Sequence, residues 1–280
     1  AGGNYDILCQ SFPQWGKGSR IGGKGMRGLL IKDFFCLKRQ FYTFLTVMAG
    51  SFIVSVLFVL SSRYGNLALE FQSMLSDGDM TEDGVMLLIR YVLFFFLLIP
   101  MAFTGNVADV FLDDKNASFQ KLASALPISI AKRVAARYMT GLSFTLLGFV
   151  MATMIALVLS GLTELVSFGE LFGVLVSFAS FMVIYLAIFI VFEYLLGVDK
   201  TAICQILPII IIGLVLIIPH IGEVWKIFLE EDVALVLRKV QGIQDFLTNQ
   251  SYLAAIAAIA LLAESYGISV GIAKRKRGVV

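Results

Sequence analysis

Of the 280 residues, 59% are hydrophobic and 15% charged, with a net charge of +2 at neutral pH. A soluble domain instead balances about half apolar residues against a quarter charged, so an ordinary soluble domain is excluded and an all-α polytopic integral membrane protein is predicted. A membrane β-barrel is excluded as well, because it needs ~10-residue alternating segments, whereas runs such as FFFLLIP and ILPIIIIGLVLIIP are continuously apolar.

Crossing ~30 Å of hydrocarbon takes roughly 20 apolar residues. Six windows qualify as spans: 41–61, 86–112, 138–162, 171–196, 203–221 and 252–272. Basic residues set orientation. Lys32, Lys38, Arg39, Lys115, Lys121, Lys132, Arg133, Arg137, Lys200 and Lys274 to Arg277 collect on one side, which places both termini in the cytoplasm. The KRKR run directly after the last span is read as a topology anchor rather than a nucleic-acid site. Cys9, Cys36 and Cys204 have no paired spacing and His220 stands alone, so neither a disulfide framework nor a metal site is expected.

Residues 1–25 lack an initiating Met, a hydrophobic signal core and any helical period, and are read as a disordered or expression-derived extension to a membrane domain at 26–280. Within them Gly18 to Gly25 (GSRIGGKG) approaches a phosphate-cradling loop. Gly25 replaces the hydroxyl that would hold magnesium and no strand precedes it, so no nucleotide site is expected there. Next, RGLLIKDFFCLKRQ spaces Leu30, Phe34, Leu37 and Phe41 as a helix stripe and turns Arg27, Lys32, Lys38 and Arg39 toward headgroups. Such a basic amphipathic helix lies in the interface and leads into span one as an elbow.

An acidic outer loop, 62–84, follows span one. Arg90, just inside span two, is expected to snorkel to the near interface. Span two carries Pro100 and Gly105, then Asn106 and Asp109 near its inner end. Polar groups at that depth must face protein or water, so both are candidates for an inner vestibule.

Between spans two and three lies the polar bridge DDKNASFQKLASALPISIAKRVAARY, Asp113 to Tyr138. Asp114 or Asn116 caps a helix over 117–125 with Phe119, Leu122 and Leu126 on one stripe. Pro127 stops it. Ser129 caps the approach to span three, whose Lys132, Arg133 and Arg137 are expected to grip lipid phosphates. The pattern carries no catalytic group and suits docking into another protein.

Spans three and four form a tight hairpin around Glu164 and Glu170, and Glu193, Asp199 and Lys200 mark the turn before span five, where a Glu193 to Lys200 contact is possible. Segment 222–250 reads as amphipathic helix at the outer leaflet. In span six Ala260, Glu264, Gly267 and Gly271 share one face, and small residues let helices approach closely. Glu264 is costly at that depth, by ~2.5 kcal/mol or more. It has three readings: a translocation path, a pair with a basic group of another span, or hydration from the cytoplasm.

The elbow MRGLLIKDFFCLKRQ, the six spans and the bridge NASFQKLASALPISIAKRVAARY together resemble permease subunits of ABC exporters of the ABC-2 type. The resemblance implies that the bridge contacts the ATPase. Its acidic-Asn-x-[ST] start corresponds to Asp114 with Asn116 to Ser118, its Leu-rich helix to Leu122 to Leu126, its Leu-Pro-[IV]-Ser turn to Leu126, Pro127 and Ser129, and its basic helix to Lys132 to Tyr138, with Phe119 and Lys121 also counted among the ATPase-coupling residues. Ile130 departs from the pattern, since relatives often carry a basic residue there. The short six-span form with a KDF-containing elbow is similar to bacterial phenol-soluble modulin exporters and bacteriocin-type peptide exporters. That likeness implies two permease copies in a homodimer, two separate ABC ATPase subunits that hold ATP and magnesium, an amphipathic peptide cargo and a bacterial cytoplasmic membrane. An ATPase-independent secondary carrier using Glu264 or Asp109 is the competing reading, though the chain lacks the two-half repeat common in carriers. An intramembrane enzyme is disfavoured because no HExxH or paired intramembrane Asp occurs.

Overall fold

The computed structural model describes residues 24–64, 82–99, 101–102, 107–116, 128–162, 167–218, 242 and 249–277. Their elements are helices in the order α1 (Lys24–Cys36), α2 (Lys38–Tyr64), α3 (Glu82–Leu98), α4 (Val107–Asn116), α5 (Ile130–Leu162), α6 (Phe168–Leu196), α7 (Thr201–Ile217) and α8 (Ser251–Arg277), with a 3-10 turn at Val198–Lys200. The extension 1–23, the bridge residues 117–127 and most of 222–250 lie outside the described residues.

Among the described residues, five helical stretches are long and apolar enough to cross a membrane: Gln40–Ser61, Ile130–Leu162, Phe168–Leu196, Val198–Val215 and Ser251–Lys276. The expected second span is divided instead into the 17-residue α3 and the 10-residue α4. The interval holds Pro100, which cannot donate the helical hydrogen bond, and Gly105. The helix of span three begins at Ile130 and runs unbroken for 33 residues, with Lys132, Arg133 and Arg137 in its opening turns. Ser129 caps it: the Lys132 amide donates to the Ser129 hydroxyl at 3.4 Å.

Two apolar cores hold the helices together. Toward the end where α3 and α6 begin, Phe44, Met48, Leu93, Leu97, Ile155, Leu159, Leu171 and Leu175 join α2, α3, α5 and α6. Toward the opposite end, which carries most of the basic residues, Val107, Phe111, Val134, Leu186, Phe189, Ile190 and Cys204 join α4, α5, α6 and α7. There α8 is pinned by hydrogen bonds that membrane helices use in place of a hydrophobic driving force. The Tyr138 hydroxyl lies 3.1 Å from Ser265 Oγ and 3.0 Å from Ser269 Oγ, and the Tyr266 hydroxyl donates to the Ala131 carbonyl at 3.3 Å.

The helix ends have local causes. At α6 the Glu170 amide donates to the Ser167 hydroxyl and the Ser167 amide to the Glu170 carboxylate, a reciprocal capping box. Gly197, at φ 87°, ends α6 in a left-handed conformation that L side chains disfavour. Lys276 donates to the terminal Leu195 carbonyl at 3.1 Å, a cation placed where the helix dipole is negative.

At Gly141 the packing is closest. A Cβ there would lie 2.5 Å from a terminal methyl of Leu186, itself fully buried. Gly141→Val is therefore expected to destabilise by about 1–3 kcal/mol through overpacking. Adding Leu186→Ala should recover part of that loss in a double-mutant cycle of thermal unfolding.

Candidate functional site: a ring of buried charges at the root of the bridge

Three helices meet where the bridge leaves and re-enters the helical body. Helix α1 supplies Lys32 and Asp33, α4 supplies Asp114, and the second turn of α5 supplies Arg137. All four side chains are buried: Lys32 is 8%, Asp33 1%, Asp114 6% and Arg137 9% exposed. They form a closed ring of ion pairs. Lys32 Nζ lies 3.1 Å from Asp33 and also contacts Asp114; Arg137 Nη1 lies 2.9 Å from Asp33 while Nη2 contacts Asp114. The Asp33 to Arg137 Nη1 approach is a charge contact rather than an aligned hydrogen bond.

The surroundings hold the ring in place. The Thr140 hydroxyl reaches Asp33 at 3.3 Å. The Arg137 guanidinium sits 5.1 Å from the centroid of Phe111, a cation–π contact. Leu37, Val110 and Phe144 form an apolar layer beside it, and Phe34 stacks on Phe144 at 6.1 Å. Next to the ring, the Gln40 amide donates to Asp109. Further out, Lys115 pairs with Asp199 at 2.5 Å, but Asp199 is fully open to solvent, so this pair adds little.

Burial pushes the Asp113 carboxyl above its ordinary value, with Asp109 adding to the rise and Lys32 opposing it. A carboxyl raised in the folded state favours folding below its unfolded value, and that contribution is lost as pH climbs through the raised value. Asp113→Asn should therefore raise the thermal midpoint at neutral pH and match the parent only near about pH 2, well below the ordinary Asp value of roughly 3.9, where the carboxyl is protonated in the folded and unfolded chain alike. Melting curves across pH test this; a lower midpoint at neutral pH would contradict it.

Several expectations are corrected here. Lys32 does not face headgroups and Arg137 does not grip lipid phosphate: each has two buried carboxylates as partners, which lipid cannot replace. Leu29 and Leu37 are buried, while Phe34 and Phe41 are 46% and 39% exposed. Lys38 is exposed; the Arg39 and Asn116 side chains and the whole of Asn106, Ser118, Phe119, Lys121, Leu122, Leu126 and Pro127 lie outside the described residues. Arg90, expected to snorkel, pairs with Glu170 at 2.7 Å. Glu193 meets the Thr201 hydroxyl at 2.8 Å rather than Lys200, which is exposed. Cys204 is buried against the α4 and α6 core. Asp109 is half-buried on Gln40, whereas Glu264 is exposed on α8 together with Ala260, Gly267 and Gly271, so the two candidate path residues are not brought together.

Sequence reasoning gave Asp33 no role beyond its place in the KDF of the elbow. The available signal was that Lys32, Asp33, Asp114 and Arg137 are balanced charges on three segments that each adjoin a membrane span, where an unpaired charge is costly.

These features define a multi-pass membrane protein whose polar machinery gathers at one end of the helical body. A model of the ABC-2 family transporter proteins matches residues 84–274, and the chain belongs to that family. It is thus a membrane permease of an ABC transporter, a class that works with an ABC ATPase partner. No curated protein and no solved structure matches the chain.

Proposed function

We propose that this chain is the permease of an ATP-driven exporter of amphipathic peptides, paired with a second copy of itself and with two separate ABC ATPase subunits in a bacterial cytoplasmic membrane. ATP and magnesium are held by the ATPases, and this chain hydrolyses nothing. Both termini are cytoplasmic, on the side where Lys38, Lys115, Lys132, Lys200 and Lys274 to Lys276 lie exposed. The bridge, from Asn116 through Phe119, Leu122 and Pro127 to Ser129, docks on the ATPase.

One observation carries this reading. The helices that flank the bridge, α4 and α5, are clamped to each other by Asp114 and Arg137, so force applied to the bridge reaches the membrane domain rather than dissipating in a loose connection. Transport then follows as a population shift: ATP-bound ATPases hold the bridges of the two copies close together and thereby favour the outward-open state. That requires the ATPases to bind the two permease states with different free energies. Glu264 supports pairing. Its carboxylate is exposed amid small residues, and at Gly267 and Gly271 an added Cβ would meet nothing within 4 Å. Contact with lipid there costs ~2.5 kcal/mol or more, which is relieved when a second copy or the path between copies covers that face.

Purification of the tagged chain from its native membrane tests the proposal. An ABC ATPase is expected in equal amount. Transport by the purified chain with no ATPase present would refute it in favour of a secondary carrier.

A further inference from the structure

The ring of four charges is more than the fold requires. Apolar side chains of similar volume commonly stabilise a protein as well as a buried ion pair does, so the ring calls for a reason other than stability. Its position supplies one. Asp114 and Arg137 close the neck of the bridge, whereas Lys32 and Asp33 come from a helix that precedes span one and is joined to the bridge only through α2 and α3. Each of the four touches two opposite charges, so displacing any one helix breaks two contacts at once. Directional contacts of this kind in a low dielectric hold or release as a unit instead of stretching.

The apolar layer of Leu37, Val110 and Phe144 ties together the same three segments, and Phe111 under Arg137 fixes the direction of the guanidinium fork. We propose that Lys32, Asp33, Asp114 and Arg137 are positioning residues of the transport cycle, an ionic joint through which the elbow helix and the root of the bridge move as one body. The inference rests on the coupling reading above and identifies the part of the membrane domain that receives the ATPase motion. In consequence span one, which continues directly from the elbow through the hydrogen bond from the Phe41 amide to the Leu37 carbonyl at 2.9 Å, is driven together with the α4–α5 pair.

The test is a distance measurement by spin labelling on the complex purified with its ATPase, without nucleotide and after trapping with ATP and vanadate. The background carries Cys9→Ser, Cys36→Ser and Cys204→Ala. One label pair, at Ile31 and Lys132, spans the joint; a second, at Lys132 and Leu253, spans the membrane domain; all three positions are exposed. With the ring intact, the Ile31–Lys132 distance is expected to be the same in both states while Lys132–Leu253 changes. In the neutral ring Lys32→Met, Asp33→Asn, Asp114→Asn, Arg137→Met, trapping should shift Ile31–Lys132 by about 2 Å or more, the size of helix shifts in switching proteins. Inverting all four charges, Lys32→Glu, Asp33→Lys, Asp114→Lys, Arg137→Glu, preserves every pairing and should remove the shift.

An Ile31–Lys132 distance that changes with the ring intact, or stays constant in the neutral ring, overturns the joint. Should the neutral ring fail to assemble, Arg137→Lys keeps the charge and loses the fork, and an Ile31–Lys132 distribution no broader than the parent's after trapping overturns it equally. A Lys132–Leu253 distance indifferent to ATP in the intact protein would instead refute the coupling reading itself, and the joint with it.

Discussion

Arg137→Ala is expected to destabilise the folded chain by about 3–5 kcal/mol, the cost of stranding buried charges whose partner has been removed. Asp33 and Asp114 would then share Lys32 alone, and the cation–π contact with Phe111 would vanish too. Thermal unfolding in detergent at neutral pH measures the loss. Lys132→Ala, five residues earlier on the same helix but exposed, supplies the contrast and should stay within about 0.5 kcal/mol of the parent. The neutral ring should lose less than Arg137→Ala, because no full charge is left to strand and only the two introduced amides lack partners. If Arg137→Ala unfolds no more easily than Lys132→Ala, the guanidinium is not buried in a ring at all.

The second large effect concerns the bridge. Phe119→Asp or Leu122→Asp is expected to abolish ATPase co-purification, or to leave ATP hydrolysis running with export lost, while the thermal midpoint of the isolated permease stays unchanged. A charge placed on an apolar docking stripe costs several kcal/mol only when a partner buries it, so the loss should appear in the complex and not in the free chain. Undiminished export and undiminished ATPase stimulation by either variant would remove the bridge from the coupling pathway. A drop in the stability of the free chain would mean that the stripe packs against the permease itself.

Most of the architecture was legible because the hydrocarbon thickness imposes a length on any apolar helix, and the family resemblance rested on the elbow and bridge motifs. Boundaries were less legible. The expected second span holds two separate helices, α3 and α4, although the hydropathy of the segment is continuous, because hydropathy counts residues without checking their hydrogen bonds. The helix of span three begins at Ile130 and carries Lys132, Arg133 and Arg137 in its opening turns, ahead of the apolar stretch that hydropathy counts. The direction in which a basic residue points was least legible of all. Lys32, Lys38 and Arg137 look alike in a sequence, as cations beside apolar stretches. Of these only Lys38 stays exposed, and among the described residues no carboxylate forms an ion pair with it.

The amino-acid order alone determined that this chain crosses a membrane repeatedly as helix, that its basic residues gather at one end, and that a polar bridge interrupts the spans, since each of these follows from local composition against a fixed bilayer. Tertiary structure decided which charges leave the solvent. Lys32 and Arg137 become the corners of a closed ionic ring because α1, α4 and α5 converge on one point, and the attraction of opposite charges in a dry interior depends on distances between residues as far apart in the chain as Lys32 and Asp114.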